Sequence, residues 1–308
     1  RDWSSDVCSS DLMQNTNITQ NCTSSRISRR KRRYANRMAE RERRKVARAL
    51  KVGDLSDVFT FDKMYAYGKK CCNGVRWKNS VQRFEGHLFS GTAKRLKQVL
   101  SGIYKWEKCN KFVLSERGKT RNIDAPHIHD RQIHKTLTKE VLLPLYRPLL
   151  IWNNGASLEG KGLEFSRSLL KRDLTRHFRK YGLNGYIIIS DCSGFFPNAD
   201  YSIIRHNHRR IKCAPQLSNL MDSIIEALHS PQGMPLGIEP SQMEMICYPS
   251  MLDNYIKCQL GLHGAGHYMD DYYMLVPPDI DPHEVLDKFI AAAQTNKLII
   301  GRHKTHII

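Results

Sequence analysis

Short apolar runs broken by Gly, Pro and Asp mark the second half of this chain. Residues 186–190 (Tyr-Ile-Ile-Ile-Ser) and 272–276 (Tyr-Tyr-Met-Leu-Val) are strand-sized and rich in β-branched or aromatic residues. Apolar positions recur at helical spacing over 218–229, 241–260 and 282–296. Pro249 falls inside the second of these, where an internal proline costs about 3 kcal/mol or forces a kink, so a bent helix is expected. Further upstream, Lys and Arg are spread through a mixed region that runs to about Tyr181. Within it Leu137 to Tyr146 reads as a helix entered from Arg131. From Tyr34 onward Ala, Arg, Glu, Met and Leu favour a helix, whereas 13–25 are polar and expected to be flexible. The alternation of strand and helix patterns predicts a mixed α and β domain. No internal repeat is present, and no run of 18 apolar residues exists to span a membrane.

Composition adds a partner class. The chain has 308 residues, 41% of them hydrophobic, which supports a real core and excludes a disordered chain. Its 49 Lys and Arg against 30 Asp and Glu give a net charge of +19. Such a surplus points to a polyanion: nucleic acid first, an anionic membrane surface second. The charge is uneven. Arg26 to Lys51 holds 13 basic residues against Glu40 and Glu42, a net +11, so 13–52 reads as a basic N-terminal arm. A basic helix can lie along phosphates, and a solvated arm that touches nothing specific fits the same residues.

Residues 1–12 differ from all that follows. They resemble translated sequencing-adapter sequence and are read as non-native, with Met13 as the start. The nine cysteines are scattered, with no Cys-x-x-Cys, which suits a reduced, cytoplasmic protein. His127 with His129, and His263 with His267, have no acid or thiol nearby at a familiar ligand spacing, so no metal is assigned to them.

Two segments carry chemistry. Tyr186 to Ser190 is an apolar strand that delivers Asp191 at its end, and a carboxylate there is costly unless paired or bound to a cation. Tyr268-Met269-Asp270-Asp271 sets two carboxylates side by side before the second apolar run. Adjacent carboxylates raise each other's pKa unless a cation is present. Taken singly, each Asp is as well explained by a turn or cap. Together they favour a Mg²⁺ site that also accepts substrate phosphates.

These residues resemble the reverse transcriptases. Tyr-Met-Asp-Asp resembles the signature turn of that family, and Asp191-Cys-Ser-Gly-Phe-Phe196 its first palm motif. Pro231 to Gln242 resembles the Gln-Gly and Ser-Gln motif, and Gly301-Arg-His-Lys304 the lysine motif. Gly118-Lys-Thr-Arg121, followed by Pro126 and Asp130-Arg131, resembles the fingers signature of the prokaryotic group. That group comprises group II intron, retron, diversity-generating and abortive-infection enzymes. The five motifs occur in order over roughly residues 110–308.

The resemblance implies an α+β right-hand polymerase fold, with fingers over 53–185 and an incomplete palm over 186–308. The palm is a central antiparallel sheet flanked by helices, with a fingers helix region inserted near 200–230. It implies RNA-templated DNA synthesis. Asp191, Asp270 and Asp271, with the backbone carbonyl of Cys192, would hold two Mg²⁺ ions, with Mn²⁺ as a substitute. Lys304 would act as acid toward pyrophosphate. Lys119 and Arg121 would grip the triphosphate, Phe196 would crowd a ribose 2′-hydroxyl, and Gln232 and Gly233 would lie near the sugar. Arg131, Ser241, Gln242, Tyr268 and Met269 would face template and primer. The bland readings remain beside these. Phe196 fits an ordinary core position, Lys119 and Arg121 a solvated loop, Lys304 a frayed end, and Ser241 the N-cap of the 241–260 helix.

The implied partners are an RNA template, a DNA or RNA primer, deoxynucleoside triphosphates and a structured non-coding RNA, in a retroelement or an antiviral defence system. No membrane is implied. An untemplated or protein-primed DNA polymerase would use the same residues. A nucleic-acid-binding fragment without activity would need only the basic arm. Gly266-His267 departs from relatives that carry aromatic or basic residues there. The chain ends four residues after Lys304, so a C-terminally truncated fragment without a thumb is expected, with an exposed edge on the strand that holds Tyr268.

Overall fold

The computed structural model describes residues 20–116 and 118–308; residues 1–12 and 13–19 lie outside the described residues. Two compact units divide at Lys45/Val46. The division falls inside the first helix, α1 (Gln20–Val52), which contains neither Gly nor Pro. With neither to interrupt it, the helix covers part of the stretch expected to be flexible. In the first unit Glu40 pairs with Arg44 at 2.8 Å and Arg43 at 3.7 Å, while Arg29 to Arg33 are exposed.

After the end of α1 the second unit continues with α2 (Leu55–Val58), α3 (Phe61–Cys72), α4 (Asn79–Gly86) and α5 (Leu88–Leu100). An antiparallel hairpin follows, β1 (Asn110–Glu116) and β2 (Lys119–Ala125). Next come α6 (Ile128–Leu137), a π turn over Thr138–Leu142 and α7 (Leu143–Tyr146). The helix expected over 137–146 is therefore real but widened by one π turn. Pro144, which has no N–H to give its preceding turn, sits just after that turn. Then come α8 (Leu163–Tyr181), β3 (Tyr186–Asp191), α9 (Tyr201–Arg210), α10 (Pro215–Glu226), α11 (Glu239–Cys247) and α12 (Ser250–Cys258). The last elements are β4 (Ala265–Tyr268), β5 (Asp271–Val276), α13 (Pro282–Thr295) and β6 (His306–Ile307). Pro249 breaks the 241–260 pattern into α11 and α12.

The four-stranded sheet has the order β4-β5-β3-β6 and is antiparallel throughout. Alternation sends Tyr272 and Tyr273 to opposite faces. Tyr272 packs toward Phe289 of α13, and the Tyr273 hydroxyl donates to Asp173 of α8 at 3.1 Å. Ile188 and Met274, cross-strand partners and fully buried, centre one core with Phe289, Tyr248 and Leu252. A second core joins Ile133, Leu137 and Tyr146 to Leu217 and Met221 of α10 and Ile246 of α11. Elements before and after residue 186 thus share apolar packing within one unit. The edge of β4 is not open as expected. Asn153 to Gly155 lies along it, with His267 N–H donating to Asn153 O and Gly155 N–H to His267 O, both at 3.1 Å.

A buried polar network crosses the second core. His208 lies 2.8 Å from Asp222 through Nδ1 and 2.9 Å from Glu244 through Nε2, and Tyr146 donates to Glu244 at 2.7 Å. Burial opposes charge on His208, but the two carboxylates outweigh it and hold its pKa up to about 9. A raised histidine pKa contributes stability that is complete below the unfolded value near 6.5 and lost as pH climbs through about 9. Urea unfolding is expected to show stability falling by up to about 3 kcal/mol across that window. His208→Gln is expected to flatten the decline and lower stability at pH 6.

Candidate active site

The site is built where two strands meet. Asp191 ends β3, Asp271 begins β5, and the two are cross-strand partners. β4 and β5 are joined by a turn of two residues, Met269 and Asp270, with Tyr268 opposite Asp271. Met269 has φ +55°, the left-handed conformation such a tight hairpin turn demands at its first position. The turn is pinned from two sides. Cys192 N–H donates to Asp270 O at 3.0 Å, tying the turn to the end of β3. Beneath it, buried His267 reaches Met269 O with Nδ1 at 3.0 Å and Asp253 with Nε2 at 3.1 Å. Burial disfavours the imidazolium, but Asp253 and then the Met269 carbonyl favour it, and together they raise the pKa. Tyr272 completes the anchor, donating to Asp253 at 3.2 Å and stacking on His267.

Electrostatics strain the cluster. Burial, then the Asp191 charge, raises the Asp270 pKa, while Lys304 and Lys119 work against the rise. Asp271 is raised by partial burial, then by Asp270 and Asp191; it is exposed, so solvent screens part of that repulsion. Lys304 Nζ sits 2.8 Å from Asp191 Oδ2, and this bond raises the lysine pKa. Burial pushes the Cys192 thiol far up, so its sulfur stays protonated. What remains is an all-oxygen donor set with surplus negative charge, and that chemistry fits hard divalent cations such as Mg²⁺.

The other sequence-predicted residues fall into three groups. In the first, the Gln232–Met234 loop is tied to the segment after β3. Gly233 N–H donates to Ala199 O and Met234 N–H to Phe196 O, both at 2.8 Å. Gly233 has φ +91°, and a Cβ there would stand 2.7 Å from Pro197 O. Gln232 is exposed. Phe196 is half-buried at the rim of the core, while Phe195 takes the interior place. Gly301 N–H donates to Asp191 O at 2.9 Å, which brings Lys304 to the cluster.

The second group lies on the β1–β2 hairpin. Lys119 and Arg121 are exposed there, with Arg121 3.6 Å from Glu116. Lys119 is close enough to act electrostatically on Asp270 and Asp271. The third group borders a cavity of about 270 Å³, lined by Arg131, Gln242, Lys135, Lys139 and buried His134 among others. Neither ring nitrogen of His134 has a partner, and burial pushes its pKa down to about 3. Ser241 is not a helix cap. α11 begins at Glu239, with Ile238 before it, and the Ser241 hydroxyl is buried without a partner. Pro240 is tolerated in a first helical turn, so the helix starts ahead of it rather than after it.

Sequence reading missed Asp253, Asn153 and Asp173. Asp253 looks like any helix-borne acid, and only the fold sets it under the turn. His267, weighed with His263 as a metal pair, is instead the buried partner of Asp253.

No family model matches the sequence, and no curated protein matches it. Solved structures do match in shape. Apo telomerase from Candida tropicalis, truncated from its C-terminal domain, gives a TM-score of 0.51 at 13% identity, over 65% of this chain and 49% of its own. Telomerase from Candida tropicalis in complex with a TWJ fragment of telomeric RNA gives 0.51 at 12% identity, over 70% and 44%. The chain has a reverse-transcriptase-like polymerase fold. It has fingers and a palm, with a central antiparallel sheet flanked by helices. It spans less than half the length of the telomerase chains it matches. Among the described residues no helix is long and apolar enough to cross a membrane.

The raised aspartates fix a sign. The folded state retains protons that the unfolded chain has released, so stability falls as pH rises from the ordinary value of 3.8 through the raised ones. Asp270→Asn removes one of these charges. At neutral pH it is expected to raise the thermal midpoint of metal-free protein and to shrink the further rise on adding Mg²⁺. Scanning calorimetry reads both, and a lowered metal-free midpoint contradicts the account.

Proposed function

We propose that this chain is an RNA-directed DNA polymerase of the prokaryotic reverse-transcriptase type, with 53–185 as fingers and 186–308 as palm. The observation that carries the reading is the carboxylate cluster. Asp191 ends one strand, Asp270 and Asp271 arrive on a pinned turn beside it, and Lys304 contacts the same aspartate. Asp191, Asp270, Asp271 and the Cys192 carbonyl would hold divalent cations, which would supply Lewis acidity toward the reacting phosphate oxygens. The primer 3′-hydroxyl attacks the α-phosphorus of a deoxynucleoside triphosphate, and pyrophosphate leaves.

The chain's own groups have separable tasks. Lys304, kept protonated by Asp191, donates its proton to the leaving pyrophosphate. Lys119 and Arg121 meet the triphosphate from the hairpin, the guanidinium in bidentate fashion. Phe196, half-buried at the rim of the core, takes the role of excluding a 2′-hydroxyl. Gln232 and Gly233 border the sugar, Gly233 by its close backbone approach. Arg131, Gln242, Tyr268 and Met269 face template and primer, whereas Ser241, fully buried in α11, reaches neither, and the basic arm of α1 lies along nucleic-acid phosphates. RNA as template is supported by the five-motif resemblance. The telomerase bound to a telomeric RNA fragment shows the same fold beside RNA. A structured non-coding RNA and a retroelement or defence-system host go with the prokaryotic type.

Primer extension on RNA template, on DNA template and without template separates the readings. The expected result is deoxynucleotide incorporation that follows the RNA sequence. Asp270→Asn with Asp271→Asn is expected to reduce it by more than about a hundredfold while binding of primer–template persists. Equal product without template favours an untemplated or protein-primed polymerase, and binding without product favours a binding fragment. Phe196→Ala is expected to relax discrimination against ribonucleotides by roughly ten- to a hundredfold, read as a ratio of kcat/KM values.

A further inference from the structure

The base of the β1–β2 hairpin holds a second group of ligand-type side chains. Glu107 lies on the segment that enters β1, while His127 and His129 lie where β2 gives way to α6. Glu107 Oε1 is 3.2 Å from His129 Nδ1 and 3.8 Å from His127 Nδ1. The two imidazole rings stand 4.4 Å apart between centroids. Among the described residues this is the one group of three or more His, Cys, Asp or Glu whose ligand atoms all lie within 4.8 Å of one another. The histidine pair offers no such pattern along the chain, because its acid comes from twenty residues upstream.

We propose that Glu107, His127 and His129 form a transition-metal site, of the Zn²⁺ class, that clamps the base of the fingers hairpin. Bonds of about 2.0–2.2 Å to a tetrahedral ion set neighbouring ligands roughly 3.4 Å apart, and the two measured separations bracket that value. Two imidazoles with one carboxylate suit Zn²⁺ and its neighbours, whereas Mg²⁺ and Ca²⁺ prefer oxygen alone. The three side chains are each between a third and a half exposed, so solvent reaches a fourth position. The carboxylate ligand is held from behind. Buried Asp130 accepts the Glu107 backbone N–H at 2.9 Å and the Tyr104 hydroxyl, which orients the segment as outer ligands do in metal sites. His129 N–H donates to His127 Nδ1 at 3.4 Å, a long and weak bond for a metal to displace.

The position gives the clamp a consequence. Every residue of β1 and the first four of β2 are exposed, so few side-chain contacts hold the hairpin. Its backbone tie to the rest of the unit is Asp124 N–H to Leu236 O at 2.8 Å, next to the Ile123–Leu236 bridge. An ion at Glu107, His127 and His129 joins the entering and leaving chains at once. It thereby restricts the swing of Lys119 and Arg121 at the far end. The metal site itself stands without the polymerase reading; only this last link uses it.

The test is Zn²⁺ titration by calorimetry of the chelator-stripped full chain in excess Mg²⁺, which fills the aspartate cluster, with Co²⁺ absorbance as the probe of ligand type. One equivalent is expected to bind, with a nitrogen–oxygen tetrahedral Co²⁺ spectrum and slowed amide exchange over residues 107–129. Glu107→Gln, which keeps side-chain size, and His129→Asn, which removes the half-buried ring, are each expected to weaken binding at least about tenfold. Asp270→Asn is expected to leave it unchanged. Absent stoichiometric binding, affinity indifferent to both variants, or a sulfur-to-cobalt charge-transfer band pointing to Cys109 or another thiol overturns the proposal. Loss of the site by Asp270→Asn also overturns it, whereas loss of DNA synthesis alone bears only on the polymerase reading.

Discussion

Asp191 and Asp271 face each other across adjacent antiparallel strands, with Asp270 one residue away on the turn. Like charges opposed in this way destabilise a sheet. Most of the surrounding structure reads as the means of keeping them there. The sheet supplies rigid strand ends, because Ile188, Met274 and Val276 are fully buried against α12 and α13. The turn cannot relax outward, since its Met269 carbonyl is held by His267 and its Asp270 carbonyl by Cys192. Lys304 answers one carboxylate, and Lys119 acts on the other two from a distance. Repulsion is left over, and a bound divalent cation is the direct way to relieve it.

Buried polar networks do much of the positioning. Asp253, His267 and Tyr272 lie beneath the turn, and Asn153, Asp173 and Tyr273 on the opposite face of the sheet. His208, Asp222, Glu244 and Tyr146 link α7, α9, α10 and α11. Each is well satisfied, so each fixes one arrangement instead of tolerating many. The contrast is the cavity beside Arg131 and Gln242, where His134 and Thr138 keep unpartnered polar atoms. Buried polar groups without partners cost free energy.

Local features were legible in the sequence and long-range ones were not. The strands at 186–190 and 272–276 stood out because apolar runs of that length with flanking Asp and Gly have few other uses. The break at Pro249 followed from the missing N–H. Ser241 was misleading because a serine before an apolar helical pattern resembles a cap, yet Pro240 fits in a first helical turn and the helix starts before it. The arm helix begins earlier than polarity suggests, since Ser and Thr lower helix propensity without breaking a helix as Gly or Pro would. Asp253 and Glu107 carried no local signal at all. Their partners arrive from fourteen or more residues away, and only the fold brings them within reach.

The central claim is that Asp191, Asp270 and Asp271 form one divalent-cation centre. Iron-directed cleavage tests it most directly: Fe²⁺ replaces Mg²⁺, peroxide and ascorbate generate hydroxyl radicals at the bound ion, and mass spectrometry maps the cuts. The expected result is backbone scission at the end of β3 near residue 191 and in the turn near residue 270. Both cuts should be suppressed by excess Mg²⁺ and absent in Asp270→Asn. Scission that spares both places, or that survives excess Mg²⁺ unchanged, contradicts the account.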